Sequence, residues 1–126
     1  MTPDLHYQVV DVASIAAGTA EDRYVLPPGL EGEWYLESAV HTPATTQAAN
    51  GTNYTTWAIK NGATSLGTLS SAVTAFTAAT PRAFTLSGGK SREFTALTDP
   101  LTINKAESGT GGIGDGSFLL CWRRLS

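Results

Sequence analysis

The chain has 126 residues, enough for a single domain that buries roughly two-thirds of its unfolded surface. Charged residues make up only 15 %, against about 25 % in an average soluble domain, and Thr, Ala, Ser and Gly fill the deficit. A net charge of −3, with Arg123-Arg124 the only adjacent basic pair, argues against nucleic acid as a partner, since gripping phosphates needs clustered Lys and Arg.

The single cysteine, Cys121, excludes an internal disulfide framework. It lies in the apolar run Phe118-Leu-Leu-Cys-Trp122 and reads as a small buried hydrophobe. No basic stretch followed by an apolar one opens the sequence, and no run approaches the roughly 20 apolar residues of a membrane span. The expectation is a soluble product made in the cytoplasm, with no membrane partner.

Residues 1–20 alternate without a clean apolar face. Tyr7, Val9, Asp11 and Ala13 fall on one side, His6, Gln8, Val10, Val12 and Ser14 on the other. That pattern predicts a strand or arm covered on both sides. Arg23-Tyr-Val-Leu26 is a short strand stopped by Pro27-Pro28-Gly29. The stretch Glu33–His41 alternates cleanly: Trp34, Leu36 and Val40 face the core, while Glu33, Tyr35, Glu37 and His41 face solvent or a partner. Residues 42–51 read as a loop.

Thr52-Asn-Tyr-Thr-Thr-Trp-Ala-Ile-Lys60 is built from β-branched and aromatic residues, with Thr55, Trp57 and Ile59 on the buried side. Asn61-Gly62 then predicts a type I′ hairpin, and the return strand is anchored by Leu66 and Leu69. Residues 70–79 are Thr-rich and read as extended rather than helical. Arg82–Leu86, Arg92–Phe94, Leu101–Lys105 and Ser117–Arg123 are further strands, and residues 108–116 form a glycine-rich loop. Seven to nine short strands with Gly, Pro and Asn punctuation predict an all-β, single-domain antiparallel sandwich over residues 1–126, with 1–20 as a possible N-terminal arm. The core candidates are Trp34, Leu36, Val40, Trp57, Ile59, Leu66, Phe84, Leu86, Leu101, Ile103, Phe118 and Leu120.

No constellation of reactive residues emerges. The loop Ser108–Gly116 lacks the Gly-Lys-Ser/Thr of a phosphate loop and leads into a strand, not a helix. Glu33, Glu37 and His41 share a strand face but sit about 13 Å apart per step, too far to share one metal ion. Asp4 and His6 are two apart with no third ligand nearby in sequence. There is no Gly-x-Ser-x-Gly elbow, and the Glu33/Glu37 carboxylates face outward rather than into a cleft. Asn50 and Asn53 match the glycosylation pattern, which chance supplies in a Thr-rich chain. The sequence therefore predicts no enzyme, no catalytic residue, no metal and no cofactor.

Three segments together resemble short virion proteins of tailed bacteriophages: Thr52-Asn-Tyr-Thr-Thr-Trp-Ala-Ile-Lys-Asn-Gly62, Ala79-Thr-Pro-Arg-Ala-Phe-Thr-Leu86 and Leu101-Thr-Ile-Asn-Lys-Ala-Glu-Ser-Gly-Thr-Gly111. The resemblance covers residues 50–112 and implies a jelly-roll-like sandwich that decorates or cements a capsid. The implied partners are the major capsid protein and further copies of itself, as a trimer or dimer, at the capsid surface. The alternative is a receptor- or glycan-binding module of a fibre or tail.

The expected contact residues are Leu5, Tyr7 and Val9, filling alternate pockets of a neighbour, with Tyr35, Tyr54 and Trp122. A glycan binder would gather those last three in a shallow exposed patch, whereas a cement protein would bury them between subunits. The segment from about Thr2 to Ala16 is expected to add as a strand to the capsid protein or an adjacent subunit. The competing reading makes it an ordinary strand of its own sandwich.

Overall fold

The computed structural model describes residues 4–126. Nine strands build two antiparallel sheets packed face to face: β1 (Leu5–Ile15), β2 (Glu21–Val25), β3 (Glu33–Thr42), β4 (Tyr54–Asn61), β5 (Thr64–Ser70), β6 (Arg82–Ala83), β7 (Glu93–Thr95), β8 (Leu101–Ser108) and β9 (Gly114–Arg124). The first sheet runs β1-β9-β3-β6, with β7 also on β3, and the second runs β2-β8-β4-β5. Both β6 and β7 pair with β3, as two halves of one interrupted strand. Counted so, the two orders are those of an eight-strand jelly roll.

The interruption has a physical account. After Phe84, whose N–H still donates to the Ala39 oxygen of β3 at 2.9 Å, residues 85–92 leave the sheet, and a short 3-10 turn (Gly89–Arg92) returns the chain to it. The carbonyls of Leu36 and Glu37 then lack ladder partners on that side. Arg92 replaces them, its Nε–H and Nη2–H donating to those two oxygens at 2.9 Å.

Inward residues of both sheets interleave as the alternation predicts. Trp34, Leu36, Trp57, Ile59, Leu66, Phe84, Leu101, Ile103, Phe118 and Leu120 are all buried, and Leu86 packs on the core from its margin. Val40 is the exception. Glu37 is an extra residue in β3, because Leu36 pairs with Trp122 but Ser38 with Cys121. That bulge reverses the alternation beyond it. Ala39 and His41 turn inward, and Val40 turns out, half-buried. His41 therefore lies in the core rather than on the polar face.

The β4–β5 hairpin forms one residue later than its Asn-Gly signal. Asn61 pairs with Thr64, so Gly62 and Ala63 make the turn, and of the two only Gly62 has positive φ, 58°. That is the pattern of a type II′ turn rather than I′. Residues 71–81 are neither strand nor helix, held instead by a two-way backbone bridge between Gln47 and Phe76. The glycine-rich loop is short and load-specific. A Cβ on Gly111, at φ 52°, would fall 1.1 Å from Glu107 Oε2, and one on Gly114 would strike the Lys105 stem at 2.5 Å.

Residues 5–15 are an ordinary sheet strand, not a detached arm. Nine Cα partners join β1 to β9, and Val12 and Ile15 enter the core. The proposed arm's beginning, Thr2 and Pro3, lies outside the described residues.

Candidate interaction surface

The outer face of the first sheet carries the most conspicuous chemistry. Along β1, His6, Gln8, Val10 and Val12 turn toward the second sheet, so Leu5, Tyr7 and Val9 turn away from it. They are 42 %, 67 % and 64 % exposed. The expectation of a segment covered on both faces is thus corrected. On the neighbouring β9, Leu119 is opposite Val9 and 39 % exposed, while Cys121, opposite Tyr7, is buried. Beyond it on β3, Val40 is opposite Leu119. Val9, Leu119 and Val40 therefore make an apolar row across three strands, flanked by Tyr7 and Leu5.

The same face becomes charged toward β7. The Tyr35 ring is held between two guanidinium groups, Arg92 at 4.7 Å and Arg123 at 4.8 Å from its centroid. Arg123 also pairs with the Glu37 carboxylate. Cations on both ring faces are favourable because the π cloud is negative there, and they fix the ring in place.

Of the six expected contact residues, the fold brings Leu5, Tyr7 and Val9 into one row and places Tyr35 on the same face. Tyr54 begins β4 in the other sheet, half-buried opposite Ser108. Trp122 is a core residue. Its ring meets Phe94 edge-on at 5.3 Å, and its Nε1–H donates to Gln8 Oε1 at 2.9 Å. It offers nothing to a partner. Leu119 was not named as a contact, although placing Phe118 and Leu120 in the core already turned it to the opposite face.

Several ionisable groups are occupied internally. Lys105 is fully buried, and its Nζ pairs with Glu107 and donates to the carbonyls of Ala16 at 3.2 Å and Thr19 at 2.9 Å. Glu107 also accepts from Thr55 Oγ1 at 3.2 Å and from the Gly112 N–H at 3.2 Å. His41 is enclosed by Phe118, stacked at 4.3 Å, and by Trp57 and Phe76. Burial lowers its pKa from 6.5 to about 4, against weaker opposing effects of the Ser117 carbonyl and the Asp115 charge. Its Nδ1 lies 3.2 Å from the Ser117 oxygen, which fits a neutral ring donating from that nitrogen.

An open groove of about 680 Å³ runs beside the β1–β9 ladder, lined by Asp11, Val12, Thr42, Ala79, Asp115 and Ser117 among others. Asp115 is already committed there, accepting from the Thr45 N–H at 3.0 Å and from its hydroxyl at 2.5 Å. Among the described residues, no three His, Cys, Asp or Glu side chains are grouped to hold a metal ion. In comparisons by sequence, no protein-family model and no curated protein matches this chain.

Proposed function

We propose that the chain is a virion structural protein that binds the outer surface of a tailed-phage capsid and stabilises it as a decoration protein. The observation that carries this reading is the apolar row of Leu5, Tyr7, Val9 and Leu119, presented on a rigid sheet. Apolar side chains exposed in a row on one face mark a surface made to be covered. The charged end of that face, at Tyr35, Glu37 and Arg123, would orient the contact, while the row supplies its apolar area. Many weak contacts repeated over a lattice then hold each copy. The segmental resemblance to phage virion proteins points to the major capsid protein as the lattice.

A glycan-binding fibre or tail module has less support, because Trp122 is buried and Tyr35 is clamped between arginines. Electron microscopy of virions separates the two readings. Density on the head, lost in the Tyr7→Lys variant, is expected; density confined to the tail with a bare head would overturn the proposal.

A further inference from the structure

From the open edge of β1 we infer that two copies of this chain pair along it, antiparallel, about a two-fold axis through Val9. β1 is the last strand of its sheet, and among the described residues no strand pairs with its other side. The backbone orientation follows from one bond. The Arg124 N–H donates to the Asp4 carbonyl at 3.0 Å, so Asp4 and the even residues after it turn their polar groups toward β9. Leu5, Tyr7, Val9 and Asp11 then turn theirs to the open edge, whereas beyond Val12 an extra residue shifts the register and the alternation no longer fixes Ala13. Centring the pair on Val9 sets Tyr7 and Asp11, both members of that set, opposite each other.

The other edges are guarded. β2 has five residues, of which Glu21, Asp22 and Arg23 are charged. β5 is crossed by the segment after β6, where the Ser87 N–H donates to the Leu66 oxygen at 2.8 Å. The β6/β7 edge is interrupted and plugged by Arg92. Native edges are normally blunted by such charges, interruptions and covers. β1 has eleven residues, no proline, and Asp11 as its only acidic or basic residue apart from His6.

A second copy fits this edge better than an arbitrary strand because the edge is self-complementary. Centred on Val9, the pairing sets Tyr7 opposite Asp11 and Leu5 opposite Ala13, and no like charges face each other. The phenol of Tyr7 comes beside the Asp11 carboxylate, a hydrogen-bond acceptor. The apolar rows of both copies merge on one face of a continuous sheet. Nine paired residues span about 30 Å. A contact made by edge strands alone is small beside the roughly 1,200–2,000 Å² of stable complexes, so the dimer is weak and is sought at high concentration. This pairing concerns the chain in solution and stands whether or not it decorates a capsid.

Sedimentation velocity from about 10 µM to 1 mM tests it. The wild type is expected to shift toward dimer, and Val9→Lys, which sets two ammonium groups against each other on the axis, to weaken it at least about tenfold. Val73→Lys, on a distant exposed loop, is expected to behave as wild type. Unchanged thermal melting of Val9→Lys checks that it is folded. The register is read by mild oxidation in a Cys121→Ala background. Val9→Cys pairs of residues about 5.5 Å apart should form an intermolecular disulfide, whereas Tyr7→Cys pairs, about 13 Å apart, should not. A wild type that stays monomeric at 1 mM overturns the inference, and so does cross-linking through Tyr7→Cys but not Val9→Cys.

Discussion

Acid should destabilise this fold through one side chain, His41. In the unfolded chain its imidazole takes up a proton near pH 6.5, whereas in the core the ring resists protonation until about pH 4. Between those values the unfolded state binds more protons, so stability falls as pH falls. At 1.36 kcal/mol per pH unit the interval corresponds to about 3 kcal/mol, a large share of the 5–15 kcal/mol that holds a typical domain together. The contribution is complete above pH 6.5 and lost by pH 4. Carboxylates titrate over part of the same range, so the measurement must isolate the histidine. Urea unfolding, followed by tryptophan fluorescence from pH 7.5 to 4, should be run on wild type and on His41→Phe. The phenyl ring keeps the stack on Phe118 and forfeits the bond to the Ser117 oxygen, making the variant less stable at neutral pH. Its stability should nevertheless fall less steeply with acid, closing the gap by about 3 kcal/mol at pH 4. Parallel curves would refute the reasoning and mean that the ring is protonated, or reaches water, inside the folded protein.

Trp57→Ala empties the centre of the core and should cost about 3–5 kcal/mol in the same urea assay. A fragment comprising residues 18–126 removes Val12 and Ile15 and strips β9 of a neighbour; it should fail to give a dispersed amide NMR spectrum. Lys105→Met leaves Glu107 buried without its cation and should cost about 3–5 kcal/mol, whereas Lys105→Met with Glu107→Gln should recover part of that loss. Gly111→Ala, forced into positive φ against Glu107, should lower the melting temperature more than Gly51→Ala, whose Cβ meets nothing within 4 Å.

Where one residue type determines local geometry, the sequence was readable. Trp57 and Ile59 were placed on the buried face by alternation alone, and the all-β sandwich followed from short strands punctuated by Gly, Pro and Asn. The errors share a physical origin. A bulge adds one residue without leaving a mark in composition, so Glu37 reversed the faces of Val40 and His41 unannounced. The hairpin turn slid by one residue because Gly62 satisfies positive φ alone, and a bulge between Ile59 and Lys60 absorbs the difference. Trp122, by contrast, was named as a contact although placing Phe118 and Leu120 in the core already put it, two residues further on, on the buried face. The buried Lys105–Glu107 pair had a signal in retrospect: glycines at 111 and 114, which make room for the Glu107 carboxylate and the Lys105 stem. The face of β1 was the hardest to read, since its alternation sets apolar residues against a mixture of polar and apolar ones.

The pairing of the first strand with the last also sets the order in which the molecule can be made. β1 ends at Ile15, and β9, its only sheet neighbour among the described residues, does not begin until Gly114. At roughly 5–20 residues per second, a ribosome takes about 5–20 s to cover that interval. Throughout it the nascent chain carries β1 with neither edge satisfied, and β3 likewise waits for its central neighbour. The first sheet cannot close gradually from its N-terminal end; it closes when the eleven residues of β9 are inserted between β1 and β3, which are already waiting. Emergence of β9, rather than of the N-terminus, is therefore the event that lets the first sheet form.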